Sequence, residues 1–245
     1  MGKPIKILSN SSQLLNLLAD QGQLGIPELS ARLDMPRASV YRLVDALAHV
    51  GLVSPSEDGK SSLGLQVLHL ASAALRALPE IEIARPELEH LNEVTGQTIY
   101  LCALRGTSTV CLDWVPGRRV SLLLLGPGGT LPPHAGATSR VFLAFDDELR
   151  REVTQQPLER MTEKTLVEPS ELEADAQNIR SSGYSISDED VTVGIAALGV
   201  PVHDRTGDVA WALSVAGLRG EILDSRDEFA NLLRDASARM SQRLS

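Results

Sequence analysis

Residues 27–50 read PELSARLDMPRASVYRLVDALAHV, and the reading of the whole chain turns on them. Val40, Leu43, Val44 and Leu47 recur at i, i+3, i+4 and i+7, a spacing that gathers side chains on one helical face. That face requires burial. Arg37, Ala38, Ser39, Tyr41 and Arg42 lie off it, in the first two turns. Pro36 stands where the helix opens, a place proline suits because its φ is already helical and its missing N–H needs no partner. A shorter helix from Pro27 to Leu33 precedes it and offers Leu29 and Leu33 for burial. Two short helices joined by a tight turn, the second fronted by Arg, Ser, Tyr and Arg, have the build of a unit that reads the major groove of DNA. Arg37 and Arg42 are the expected base readers, since a guanidinium offers two parallel donors to a guanine edge. Ser39 is expected on a phosphate, and Tyr41 on a phosphate or a thymine methyl. The plainer reading is a helical hairpin with a solvated face, on which Arg42 pairs with Asp45.

The flanks extend this pattern. A helix is expected from Asn10 or Ser11, with Gln13 at capping-box spacing, through Leu14, Leu15, Leu17 and Leu18 to a stop before Gly22. Gly51 ends the reading helix. Leu52 and Val53 then read as a strand, Pro55 to Lys60 as a polar tip and Ser62 to Leu65 as the returning strand. Three helices and a hairpin make a winged helix-turn-helix over residues 1–65, with Lys60 placed to touch phosphate or the minor groove. Residues 66–78 read as a linker helix whose surplus of Leu and Ala implies a contact with a second copy.

Charge divides along the same line. The chain carries a net −9, yet residues 1–64 hold six Lys and Arg against six Asp and Glu, so the acidic excess belongs to the remainder. A neutral head does not repel phosphate. Its weak attraction implies that more than one copy sits on the DNA. Two cysteines and the absence of an apolar leader fit a reducing cytoplasm, and no apolar run nears the roughly 20 residues of a membrane span.

Residues 79–245 read as a mixed α+β domain, an antiparallel sheet flanked by helices. Pro79 breaks the linker, and Ile81 to Val94 forms a helix. Beyond Gly96 the period becomes two: Gln97 to Leu104, Ser108 to Val115 and Val120 to Leu125 are strands. Closure of the first hairpin at Arg105 to Ser108 places Cys102 opposite Cys111. Buried, inert thiols are the expected reading of that pair, with a redox switch as its rival. GPGGTLPP (126–133) is a loop, followed by helices from Gly136 to Phe145 and from Asp147 to Thr154. Ser170 with Glu173 opens another helix, Tyr184 to Ser187, Ile195 to His203 and Asp208 to Ala216 are strands, and Ser225 with Glu228 opens the last helix. Where Ala135 to Ser139 leaves the glycine-rich loop and starts a helix, free N–H groups and the helix dipole converge on a place that suits a carboxylate.

The whole chain resembles the IclR family of bacterial transcription regulators. The likeness rests on PELSARLDMPRASVYRLVDAL for the helix-turn-helix and on LPPHAGATSRVFLAF (131–145) for the loop and helix over the effector pocket. IRSSGYSISDEDVTVGIAALGVPVHDRTGDVAWALSVAG (179–217) matches the family's C-terminal strand pair. The resemblance implies a homodimer or dimer of dimers on double-stranded operator DNA, with a GAF/profilin-like effector-binding domain over residues 79–245. It matches Ala137 and Thr138 to backbone donors, and Ser187, Ala197, Ser214 and Ala216 to pocket positions. Gly136, Ser139 and Arg140 replace a more usual hydroxyl, glycine and lysine, and Ala197 and Ala216 are apolar where other members can be polar. A pocket of lower polarity follows, suited to an organic acid with an apolar or aromatic body.

The expected function is a ligand-responsive regulator, a repressor of a small-molecule catabolic or metabolic operon, with no catalytic residue, cofactor or metal. Two rivals remain at this point. His134, Ser139 and Asp188 could be drafted into a hydrolase triad, although no G-x-S-x-G elbow accompanies them. The winged helix could instead serve dimerisation, in a module that binds protein or RNA.

Overall fold

The structure, a computed structural model, describes residues 5–118 and 125–243. The chain divides into two compact units, Met1–Leu78 and Pro79–Ser245.

In the first unit, α1 (Lys6–Gln21), α2 (Ile26–Leu33) and α3 (Arg37–His49) enclose one aliphatic core. Leu14 and Leu18 of α1, Leu29 of α2, and the expected stripe of Val40, Leu43, Val44 and Leu47 are all buried in it. Helix α3 ends as foreseen, with the N–H groups of Gly51 and Leu52 returning to the carbonyls of Ala48 and Leu47. The wing is β2 (Val53–Pro55) and β3 (Lys60–Leu63), paired antiparallel. Several boundaries differ from the sequence reading, and Pro55 and Lys60, read as the ends of the polar tip, lie in β2 and β3. Helix α1 starts at Lys6, a turn before Asn10, with no side-chain cap. A two-residue strand, β1 (Leu24–Gly25), joins the wing through β3. Leu65 belongs to α4 (Leu65–Arg76) and not to the wing. Helix α4 buries none of its residues within the chain.

Among the described residues the second unit is built on a six-stranded antiparallel sheet in the order β6-β5-β4-β9-β8-β7. Its strands are β4 (Thr98–Arg105), β5 (Ser108–Val115), β6 (Thr130–Leu131), β7 (Ser185–Asp188), β8 (Ile195–His203) and β9 (Val209–Leu218). Helices α6 (Ala137–Phe145) and α8 (Pro169–Ser182) pack over one face, and α7 (Asp147–Val153) follows α6. Helices α5 (Pro79–Thr95), α9 (Arg219–Asp224) and α10 (Arg226–Arg243) cover the other. Strand alternation separates the two sides: Ala212 of β9 packs with Phe142 of α6, while a side chain at Gly217 would meet Ile222 of α9. Helix α5 starts at Pro79 and carries Pro86 inside it. The loop at 126–133 contains β6, which pairs with β5. Helix α8 opens on Pro169 with Glu168 at its cap, so Ser170 does not cap it. The short α9 was not expected. The strand read over Val120 to Leu125 falls on residues 120–124, outside the described residues. Among the described residues, no helix is long and apolar enough to cross a membrane.

Candidate functional site

Two places gather the residues singled out above. The first is the front of α3. Burial of Val40, Leu43, Val44 and Leu47 turns the opposite face outward, so Arg37, Ala38 and Arg42 are exposed and Tyr41 is 63% exposed, far from a core aromatic. Ser39 is half-buried. Among the described residues neither Arg37 nor Arg42 has an ion-pair partner, so the pairing of Arg42 with Asp45 is absent. Pro36 supplies no side-chain cap and the first turn holds no acid; the Ser39 N–H returns to the Pro36 carbonyl at 2.8 Å, while the helix dipole still favours an anion there. A groove between α1 and α3 joins Ser39 and Arg42 to Lys6 and Asn10. A second, between α3 and the wing, joins Tyr41 to Lys60. Lys6 was missed because α1 had been started too late. The wing tip is locally tied: Asp58 accepts from Ser56 Oγ and from the Lys60 N–H at 3.2 Å, and the Ser56 bond leads in holding its carboxyl below the usual range.

The second place is a cavity of about 70 Å³ between the first turn of α6 and the sheet. A buried water needs about 10–15 Å³ by the same measure, so the space suits one compact molecule. Ala137, Thr138, Ser187, Ala197, Ser214 and Ala216 all line it, as do Gly136, Tyr100, Leu125, Leu131, Val191, Thr192 and Ile195. Register explains why the strand residues meet: Tyr100 lies opposite Ser214, Ala197 opposite Ala216, and Ser187 opposite Ala197. Gly199 lets α6 rest on the sheet, since a Cβ there would lie 3.0 Å from the Ala137 carbonyl and 2.9 Å from Ser185 Oγ. Ser185 Oγ in turn donates to the Ala137 carbonyl at 2.6 Å. Gly136 turns the chain into α6 at φ +87°, a conformation side chains resist.

One expectation needs correction. The start of α6 is not an open carboxylate site, because Asp190 already holds part of it. Asp190 is buried, its Oδ2 accepts the Gly136 N–H at 3.1 Å, and its Oδ1 accepts from Ser187 Oγ. Among the described residues the N–H groups of Ala137 and Thr138 meet no acceptor. Arg140, also buried, reaches Asp175 at 2.9 Å and lies 3.4 Å from Asp190, out of line for a hydrogen bond. Burial leads in pushing the Asp175 carboxyl above its usual range, against the pull of Arg140. Sequence reasoning missed Asp190 and Tyr100. No local signal pointed to Tyr100, because its partner Ser214 lies on a strand distant in sequence.

Cys102 and Cys111 face one another across β4 and β5 as the hairpin arithmetic required. Both are buried free thiols beside Tyr100. The hydrogen bond with Cys102, and then burial, push the Cys111 thiol far up, so the reactive thiolate is disfavoured. The drafted triad does not assemble. His134 Nε2 meets the Glu159 carbonyl at 2.8 Å, Asp188 pairs with Arg219 and Lys164, and Ser139 Oγ is buried without a partner among the described residues. Among the described residues no group of three or more His, Cys, Asp or Glu could hold a metal ion.

Comparison with known proteins places both regions. Residues 8–57 match the family model described as the IclR helix-turn-helix domain, and residues 72–242 match that of the bacterial transcriptional regulator IclR C-terminal domain. The HTH-type transcriptional regulator BhcR of Paracoccus denitrificans is 31% identical, over 91% of this chain and 81% of that protein. The crystal structure of an IclR transcriptional regulator from Alicyclobacillus acidocaldarius superposes with a TM-score of 0.85 at 25% identity, covering 99% of this chain and all of the other. An IclR homologue from Microbacterium hydrocarbonoxydans, complexed with 4-hydroxybenzoate, shares the fold at a TM-score of 0.83 and 24% identity, covering 97% of this chain and 98% of that one.

Proposed function

The chain belongs to the IclR family of bacterial DNA-binding transcriptional regulators, and on that premise we propose that it is a repressor whose grip on its operator responds to a small organic acid. Residues 1–65 are the DNA-reading part, 66–78 the linker and 79–245 the ligand-binding part. Arg37 and Arg42 read bases; Ala38, Ser39, Tyr41 and Lys60 complete the contact. The observation that carries this is the exposure of both arginines, unpaired among the described residues, on a helix whose other face is spent on the core. A purely packing helix has no use for them.

Ala137, Thr138, Ser187, Ala197, Ser214 and Ala216 hold the ligand. Free N–H groups at the start of α6 suit one carboxylate, and the largely aliphatic lining suits an apolar body. The protein acts as a homodimer or dimer of dimers. Helix α4 supports this, since Leu65, Leu68, Leu70 and Leu75 are exposed on it, more apolar surface than a solvated helix keeps. Ligand and operator then act on one another's affinity by the same factor.

The test is footprinting of the DNA upstream of the protein's own gene, with and without a panel of organic acids that includes 4-hydroxybenzoate. Protection of paired half-sites, weakening steeply with salt and shifted by at least one acid, is expected. No protection overturns the DNA reading. Protection that no acid moves overturns the ligand reading.

A further inference from the structure

We infer that Asp190 is a specificity-determining residue that limits the pocket to ligands with a single carboxylate on an apolar body and excludes dianions. This rests on the reading of the cavity as an acid-binding site, and concerns which acids enter it. Asp190 is 2% exposed and bonds to two residues that line the cavity, Gly136 through its N–H and Ser187 through its hydroxyl. A carboxylate is therefore built into the wall beside the anion-attracting end of α6. Its compensation is incomplete. Among the described residues Arg140 is the one guanidinium in contact, and it is shared with the half-buried Asp175, so two carboxylates draw on one cation. The neighbouring acids Asp188 and Glu189 are matched at the surface by Lys164 and Arg219 and add no net charge.

Among the described residues no Lys, Arg or His lines the cavity. Polar atoms without partners do. Among the described residues the hydroxyls of Thr138 and Ser214, each on a residue 3% exposed, make no hydrogen bond, and the hydroxyl of Tyr100 is itself fully buried and unpaired. Buried hydroxyls left in this state point to a ligand that supplies their partners. One carboxylate finds the free N–H groups of Ala137 and Thr138 and one or more of these hydroxyls. A second carboxylate finds no cation among the described lining residues, and it meets the field of Asp190. Desolvation and like-charge repulsion both oppose it.

The experiment is isothermal titration of the full chain with matched pairs that differ by one carboxylate: p-toluate with terephthalate, and hexanoate with adipate. In the wild-type protein the monoacid of a pair that binds is expected to be at least about tenfold tighter than the diacid. Asp190→Asn, checked for folding by thermal melting, is expected to narrow that gap several-fold, and Asp175→Asn to narrow it less. A diacid that binds wild type as tightly as its monoacid overturns the inference, whatever the variants do. So does a gap left unchanged in folded Asp190→Asn. Failure of every acid to bind wild type is a different result: it removes the acid-pocket reading itself, and this inference with it.

Discussion

The front of α3 and the front of α6 are both helix N-termini, yet one is open and the other enclosed. At α3 the cap is Pro36, no acid stands in the first turn, and Arg37, Ala38, Tyr41 and Arg42 meet solvent. Orphan N–H groups at such an open end can be satisfied by solvent. At α6 every residue from Ala137 to Ala144 is buried. Water is scarce there, and an unpaired buried donor is costly, so the protein supplies Asp190 to the Gly136 N–H. The difference teaches how each end recognises its partner. An open end leaves its specificity to projecting side chains, whereas an enclosed end is specified by what is already inside.

Substitutions can break this comparison. The largest effect is expected at the enclosed end. Gly199→Val forces a side chain against the Ala137 carbonyl and Ser185, costing about 3 kcal/mol of stability, and ligand binding is lost with it. Thermal melting with and without ligand reads both, and an unshifted melting curve would show that α6 does not depend on this close approach. At the open end the two properties separate. Arg37→Ala is expected to weaken specific operator binding by about 1–3 kcal/mol while leaving the melting temperature where it was. A gel-shift titration in which the variant equals wild type removes Arg37 from the reading set.

The smallest effect belongs to the surface pair of Asp188 and Arg219. The Arg219 guanidinium leads in holding the Asp188 carboxyl below its usual range. Its folded pKa therefore lies below the unfolded one. The pair's stabilisation is present above the unfolded pKa and is lost as pH falls through the folded one. Since both partners are substantially exposed, Asp188→Asn is expected to cost less than about 1 kcal/mol at neutral pH. Melting temperatures of variant and wild type should converge below the ordinary aspartate range. A gap that persists unchanged well below that range would assign the effect to something other than charge.

The same contrast governs what could be read in advance. The stripe of α3 was legible because helical period alone marks a buried face and, by subtraction, an exposed one. The Cys102–Cys111 pairing was legible because a short hairpin transmits register by counting. Two-residue strands such as β1 and β6 have no period to detect, and α9 is too short to show one. The start of α1 differs because Asn10 and Gln13 suggest a cap, whereas the cap position is Ile5, which makes no side-chain capping hydrogen bond among the described residues. The resemblance named six pocket residues that line one cavity, but not the carboxylate behind them. Asp190 reaches Gly136 across 54 positions of sequence, a distance over which no local pattern carries information.

What the amino-acid order determined by itself was everything set within a few residues: the helical stripes, the tight turns, the hairpin register and the neutral head on an acidic chain. Tertiary structure alone decided which strands lie side by side, hence that Tyr100 meets Ser214, and which buried groups must satisfy one another, hence that Asp190 guards the start of α6. The reason is physical. Local geometry follows from bonded neighbours and side-chain period, whereas the charge and shape of an interior follow from contacts whose partners only folding selects.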